Sequence, residues 1–216
     1  MARKRTLFVC NECGGDAAGW SGKCPHCGAW NTMVEEVVVK LPGKPHSGGT
    51  ISLPVPITEI PEISGERLVT GIEELDRVLG GGVLKGSVNL VGGEPGIGKS
   101  TLMLQLSSEL AGRGEKVLYA TGEESPEQVA QRARRINALQ DNVKILAATD
   151  LDTVLNNLVN ADCSVAVIDS IQTLYSAGLS SAPGSVSQVR HCTSELIRVC
   201  KTNGLTAFIV GHVTKT

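Results

Sequence analysis

Apolar and polar positions follow two periods along most of this chain. Short runs rich in apolar and β-branched residues occur at 88–91, 116–120, 143–146, 164–168 and 206–210. They are too short for helices and predict strands buried on both faces. Between them the spacing becomes helical. Leu102, Leu106 and Leu110 mark a helix over 99–112, and further helices are predicted over 125–139, 150–159 and 186–201. The ends agree with this. Ser125-Pro126-Glu127-Gln128 is a capping box with proline at the first helical position, Asp150 can cap the next helix, and Gly204 closes the last. Upstream, Ile72, Leu75, Val78 and Leu79 form a short amphipathic helix stopped by the glycines at 80–82. Strands alternating with helices predict an α/β fold with a mostly parallel sheet, whose ligands bind at the carboxyl ends of the strands.

Neither period continues toward the N-terminus. Residues 40–62 hold Pro42, Pro45, Pro54, Pro56 and Pro61 among glycine, serine and threonine, and read as a linker. Ahead of it, Cys10-Asn11-Glu12-Cys13 and Cys24-Pro25-His26-Cys27 are two CxxC pairs separated by ten residues. Each pair turns two thiolates toward one ion, and four thiolates make a closed tetrahedral Zn²⁺ site. The rival reading is redox chemistry, but a thioredoxin-type site has one pair at a βα junction rather than two facing pairs. A unit this small folds around its metal rather than around a core. His26 reads as a bystander, with a site of three cysteines and this histidine as the lesser alternative. Trp20, Lys23 and Trp30 follow Arg3, Lys4 and Arg5, and rings beside cations suit stacking on single-stranded nucleic acid. The simpler expectation is that each tryptophan covers the small metal core. The organisation predicted is a zinc-ribbon-like module with four cysteine ligands at 1–34, a linker at 35–64 and an α/β domain at 65–216.

Composition narrows the class. With 216 residues, 41% of them hydrophobic, the chain can build one substantial core beside a small module. A net charge of −2 advertises no global field for nucleic acid, so any such surface must be local. No apolar run reaches membrane-spanning length, and the basic N-terminus lacks the apolar stretch of a signal peptide. A cytoplasmic protein without a membrane partner is the expectation. Seven cysteines, four of them in CxxC pairs, argue for metal over disulfides. Cys163, Cys192 and Cys200 read as buried apolar residues.

The chemistry centres on Gly93-Glu94-Pro95-Gly96-Ile97-Gly98-Lys99-Ser100, which fits G-x-x-x-x-G-K-[ST] after a predicted strand and before a predicted helix, with Thr101 next. Glycines let backbone N–H groups turn around a phosphate, and the helix N-terminus adds its positive end. Lys99 brings a point charge to the β- and γ-phosphates of a nucleotide, and the Ser100 hydroxyl can ligate Mg²⁺. Asp169, after a buried strand, is the expected second Mg²⁺ residue. Glu123 and Glu124 follow another strand; one of them, Glu123 slightly ahead, can act as general base. His212, with Thr214 and Lys215 nearby, ends a third strand where a side chain can touch the γ-phosphate and report hydrolysis. The Ser/Gly-rich loop 174–190 is long enough to be functional or mobile, and Arg190 is its only cation. Arg132, Arg134 and Arg135 read as a solvated helix face.

Taken together, CNEC…CPHC, TGIEELDRVLGGG, GGEPGIGKST, YATGEES, VIDSIQTLYS, APGSVSQVR and VGHVTK resemble the bacterial RadA (Sms) family, a RecA-like group involved in DNA repair. The four-cysteine unit with GEES and GHVTK carries the resemblance; the P-loop alone indicates only an NTPase. The resemblance implies a RecA-like P-loop ATPase core, ATP as the nucleotide, and a homo-oligomer, usually a hexameric ring with ATP between subunits. It also implies action on single-stranded or branched DNA, DNA-stimulated hydrolysis, branch migration, and a recombinase or helicase partner. Lys99, Ser100 and Thr101 correspond to the Walker A element, Asp169 to Walker B, and Glu123 to the catalytic glutamate. The family continues past the position of Thr216 with a KNRFG motif and a protease-like domain, so the expectation is a fragment that binds nucleotide and zinc better than it couples to DNA or forms hexamers. Two other readings stand beside this one. One is an ATP-switched zinc-containing binding protein without motor activity. The other is a RecA-like ATPase of the circadian-clock KaiC kind, against which the four-cysteine unit counts.

Overall fold

The computed structural model describes residues 4–39, 55–59 and 67–213. Strand β1 (Lys4–Cys10) pairs antiparallel with β2 (Asp16–Ala17) and with β3 (Met33–Val39), in a register that sets Cys10 opposite Met33. This small sheet continues to residue 39, past the end of the cysteine-bearing segment, because the valines of MVEEVVV extend the pairing with β1. Most of the proline-rich stretch 40–62 lies outside the described residues.

A short ribbon of β4 (Arg67–Leu68) and β5 (Val83–Leu84) brackets α1 (Glu73–Val78). The α/β core comes next in the chain. It runs through β6 (Val88–Gly93), α2 (Lys99–Gly112), β7 (Val117–Thr121), α3 (Pro126–Arg135), β8 (Val143–Ala147), α4 (Leu151–Asn160), β9 (Val165–Asp169), α5 (Val186–Asn203) and β10 (Thr206–His212). The five strands lie in the order β6-β10-β9-β7-β8, all parallel. Every position of β7 and β9 is buried, as the continuous apolar runs require of central strands. Alternate residues feed opposite layers. Val117 and Tyr119 pack with Met103, Leu106 and Leu110 of α2, while Leu118 and Ala120 pack with Leu151, Leu158 and Leu196 of α4 and α5. Each such fully buried aliphatic side chain contributes roughly 1.5–3 kcal/mol.

The helix expected over 125–139 stops at Arg135. Asn137 adopts a left-handed conformation (φ 53°), and the Ala138 N–H closes the end on the Ala133 carbonyl at 2.8 Å. Its start is the capping box read from sequence: Gln128 N–H donates to Ser125 Oγ, and Ser125 N–H to Gln128 Oε1. No helix among the described residues is long and apolar enough to cross a membrane.

Candidate nucleotide site and cysteine cluster

The loop 94–98 joins the carboxyl end of β6 to α2. Gly98 sits at the helix N-cap with φ 102° and offers no side chain to the first N–H groups, which therefore remain open as donors. A Cβ on Gly96 or Gly98 would meet no protein atom within 4 Å, so both glycines face a cradle of the kind a phosphate fills. Lys99 is 7% exposed, and its ammonium donates to the carbonyls of Gly93 (2.9 Å) and Glu94 (2.8 Å). Among the described residues, its hydrogen bonds over the loop are to backbone.

Asp169 ends β9 on the opposite wall and is 5% exposed. Its Oδ2 accepts a 2.6 Å hydrogen bond from the Tyr119 hydroxyl, while Oδ1 is buried with no partner among the described residues. A buried carboxylate oxygen without a donor calls for a cation or its water shell. Ser100 lines the same cleft, so the donor set of a hard, oxygen-liking cation such as Mg²⁺ is present. Periodicity alone does not single out Tyr119; its signal is a hydroxyl amid the buried apolar positions Val117, Leu118 and Ala120. Burial, then the charge and hydrogen bond of Asp169, push the Tyr119 hydroxyl far above its ordinary value, so it remains a protonated donor.

Glu123 and Glu124 leave β7 at a tight corner. Gly122 permits it, since a Cβ there would fall 2.3 Å from Thr173 Oγ1. The Thr121 hydroxyl accepts from both glutamate N–H groups. The two carboxylates then diverge. Glu123 Oε1 accepts from Ser170 Oγ at 2.6 Å and lies 2.9 Å from His212 Nε2. Partial burial alone would raise the Glu123 carboxyl. Hydrogen bonds from Ser170 and His212, with the charges of His212 and Lys99, outweigh it and hold the group below the usual carboxylate range. Glu124 is instead ion-paired with Arg132 of α3.

Arg132 corrects the expectation of a solvated arginine face. It is partly buried and lines the cleft, whereas Arg134 and Arg135 are exposed as expected, Arg135 at the rim of the same cleft. The periodicity of α3 could not reveal this, because it depends on where Glu124 emerges from β7. His212 comes to Glu123 as just described; Thr214 and Lys215 lie outside the described residues. The loop after β9 is ordered by buried Gln188, which accepts from Ser176 N–H and donates to the carbonyls of Ser176 and Ser181. Arg190 donates to the Gly14 carbonyl at 3.0 Å, and Ser180 to the Glu35 carbonyl at 2.5 Å. Those bonds tie the α/β core to the cysteine module. Cys192 and Cys200 are fully buried, and Cys163 is partly buried.

In the cysteine module, the thiols of Cys10, Cys13, Cys24 and Cys27 all lie within 4.8 Å of one another. The Cys10–Cys27 and Cys13–Cys24 sulfurs are each 3.7 Å apart. That is far too long for a disulfide, at about 2.05 Å. It matches the separation of about 3.8 Å between thiolates bound tetrahedrally about 2.3 Å from one zinc. Backbone N–H groups of Gly15 and His26 point at Cys13 and Cys24 Sγ, both at 3.4 Å. His26 turns its ring to the Asp16 carbonyl, outside the thiol cluster. The tryptophans correct another expectation. Trp20 is 65% and Trp30 69% exposed, and the small core consists of Cys10, Cys24 and Met33 with Phe8 and Ala17. Both rings instead stand beside bare Gly22, and the Lys23 ammonium lies 5.6 Å over the Trp30 ring.

Comparison with known proteins adds to this geometry. The family described as AAA domain matches residues 56–216, and that described as rubredoxin metal binding domain matches residues 8–35. The protein named DNA repair protein RadA from Bacillus subtilis (strain 168) is 49% identical over 100% of this chain, and its namesake from Pseudomonas aeruginosa is 46% identical over the same share. The match covers 48% of each of those proteins, so the chain spans about half the length of these curated relatives. Among solved structures, one described as an ATPase domain superposes with a TM-score of 0.57 at 14% identity, covering 68% of this chain and 63% of that one. At that identity the likeness concerns the fold, which is RecA-like.

Proposed function

The chain belongs to the AAA domain family, with relatives along its whole length named DNA repair protein RadA, and from that premise we propose that it hydrolyses ATP at the cleft between α2 and β9 and couples hydrolysis to single-stranded or branched DNA, promoting branch migration. The observation that carries this reading is convergence. A phosphate cradle, a buried lysine, a carboxylate with one orphaned oxygen and a second carboxylate in a donor network line one cleft of about 400 Å³ at the carboxyl ends of the strands. The division into a metal module, a linker and an ATPase domain belongs to the same proposal.

In this mechanism the N–H groups of the loop and of the first turn of α2 bind the phosphates, and Lys99 meets the charge that develops on the terminal phosphoryl group. Ser100 and Asp169 would hold Mg²⁺, which supplies charge neutralisation and orientation of the phosphates. Glu123 takes a proton from the attacking water as the new P–O bond forms and the bond to the bridging oxygen breaks. Both neighbours of Glu123 use Oε1, which leaves Oε2 for that proton. Glu124 is committed to Arg132, which favours Glu123 as the base. His212 joins Glu123 to the end of β10 and is placed to relay the state of the γ-phosphate along that strand.

Glu123→Gln is therefore expected to lower turnover by on the order of 100-fold while ATP still binds, and Glu124→Gln to lower it far less. Steady-state phosphate release with parallel nucleotide binding checks this. Equal losses in the two variants would remove the distinction between the carboxylates.

The DNA arm is tested by ATP turnover with and without single-stranded DNA at two salt concentrations. Stimulation that fades as salt rises supports coupling through backbone phosphates. Nucleotide binding without stimulation favours the second reading, an ATP-switched assembly protein whose zinc module recruits a recombinase or helicase. Exposed Trp20 and Trp30 favour a contact role for that module under either reading. A hexameric ring with ATP between subunits is part of the proposal, and sedimentation with ATP tests it.

A further inference from the structure

We propose that Tyr119 is a positioning residue that sets how Asp169 presents itself to the divalent cation, and so sets the preference of the site for Mg²⁺ over larger cations. This rests on the nucleotide-binding reading above. Tyr119 is 2% exposed, flanked in the sheet by β8 and β9 and covered on one face by α2. Its hydroxyl donates to Asp169 Oδ2 at 2.6 Å, a short charge-assisted bond, and lies 3.5 Å from the Ser100 carbonyl oxygen. One hydroxyl thus sits between the two residues whose oxygens are available to the cation.

The consequence comes from carboxylate geometry. The terminal torsion of an aspartate is soft, so an unheld Asp169 could turn either oxygen, or both, toward a cation. With Oδ2 engaged by Tyr119, only Oδ1 is left, and it is the atom buried without a partner. A single oxygen suits Mg²⁺, which demands near-octahedral geometry and keeps several waters. Bidentate carboxylates suit Ca²⁺. Outer-shell partners of this kind change metal affinity by about 10–100-fold when removed.

The test uses a fluorescent ATP analogue titrated into the whole chain with EDTA, with Mg²⁺ and with Ca²⁺. In Tyr119→Phe, which keeps the ring and its packing, binding in EDTA should stay within about twofold of the parent. The Mg²⁺ concentration for half-maximal enhancement should rise about tenfold, and that for Ca²⁺ should rise less or fall. Unchanged curves for both cations would overturn the inference. So would an equal loss in EDTA and in Mg²⁺, which would make Tyr119 a packing residue only. A double-mutant cycle guards against a folding artefact: added to Asp169→Asn, Tyr119→Phe should change the Mg²⁺ titration no further, and an additive effect counts against action through Asp169. If the parent chain bound no analogue under any condition, the nucleotide reading itself would fail and this inference with it. Lys99-dependent binding with unchanged Tyr119→Phe curves would sink the inference alone.

Discussion

Lys99→Ala is expected to take ATP turnover to background and to weaken nucleotide binding. The residue is nearly buried, and its ammonium is fixed by two backbone carbonyls rather than by a carboxylate. No acid needs to release it when a phosphate arrives, so its full charge is available to the transferring group. Loss of one preorganised donor at developing charge costs about 2.7–4 kcal/mol, on the order of 10²–10³ in rate. Here the residue also carries a unit charge, which adds to the loss. Phosphate release by parent and variant, at saturating ATP and with circular dichroism confirming the fold, is the measurement. Unchanged turnover would exclude the loop 94–98 as the reaction site, whatever the sequence pattern suggests.

Cys24→Ser should empty the metal site and unfold residues 8–34, leaving the α/β core folded. Cys24 is 2% exposed, and beside Cys10 and Met33 it makes up the small core of its module. Structural zinc contributes about 10–16 kcal/mol to such small units at neutral pH, far more than this handful of apolar residues supplies. A serine hydroxyl does not deprotonate to replace a thiolate. Zinc content per chain should fall from one to near zero, and chelation of the parent should reproduce the effect. Thermal unfolding of the core should shift little, because its two apolar layers do not include the cysteine cluster. A variant that kept one zinc per chain would show that the ligand set is wrong.

Much of this architecture is legible in the residues alone because the deciding interactions are local. The strand–loop–helix about residues 94–98, the Ser125 capping box and the two CxxC knuckles are each specified within a few positions, and the structure has the loop between β6 and α2, the capping box at α3 and the four thiols together. Central strands announce themselves by burial on both faces. The features that are not legible are fixed at long range. Tyr119 meets Asp169 only when β7 and β9 become neighbours, and Arg132 reaches Glu124 only because Gly122 lets the chain turn against Thr173. The helix end at Arg135 turns on Asn137 taking a left-handed conformation, which apolar periodicity does not encode. The tryptophans depart from expectation for another reason. A metal core needs so little apolar cover that Phe8, Ala17 and Met33 suffice, and the large rings are left outside.

That placement has a spectroscopic consequence. The chain's two tryptophans both belong to the cysteine module, so its intrinsic tryptophan emission comes from that module alone. Two water-exposed indoles emit at long wavelength in the native state and are open to collisional quenchers. Melting the α/β core should therefore leave the emission maximum nearly still, while anything that settles on the Trp20–Trp30 surface should shift and shield it. A single tryptophan installed in the core of a Trp20→Phe/Trp30→Phe chain would give the other half of the molecule a voice of its own.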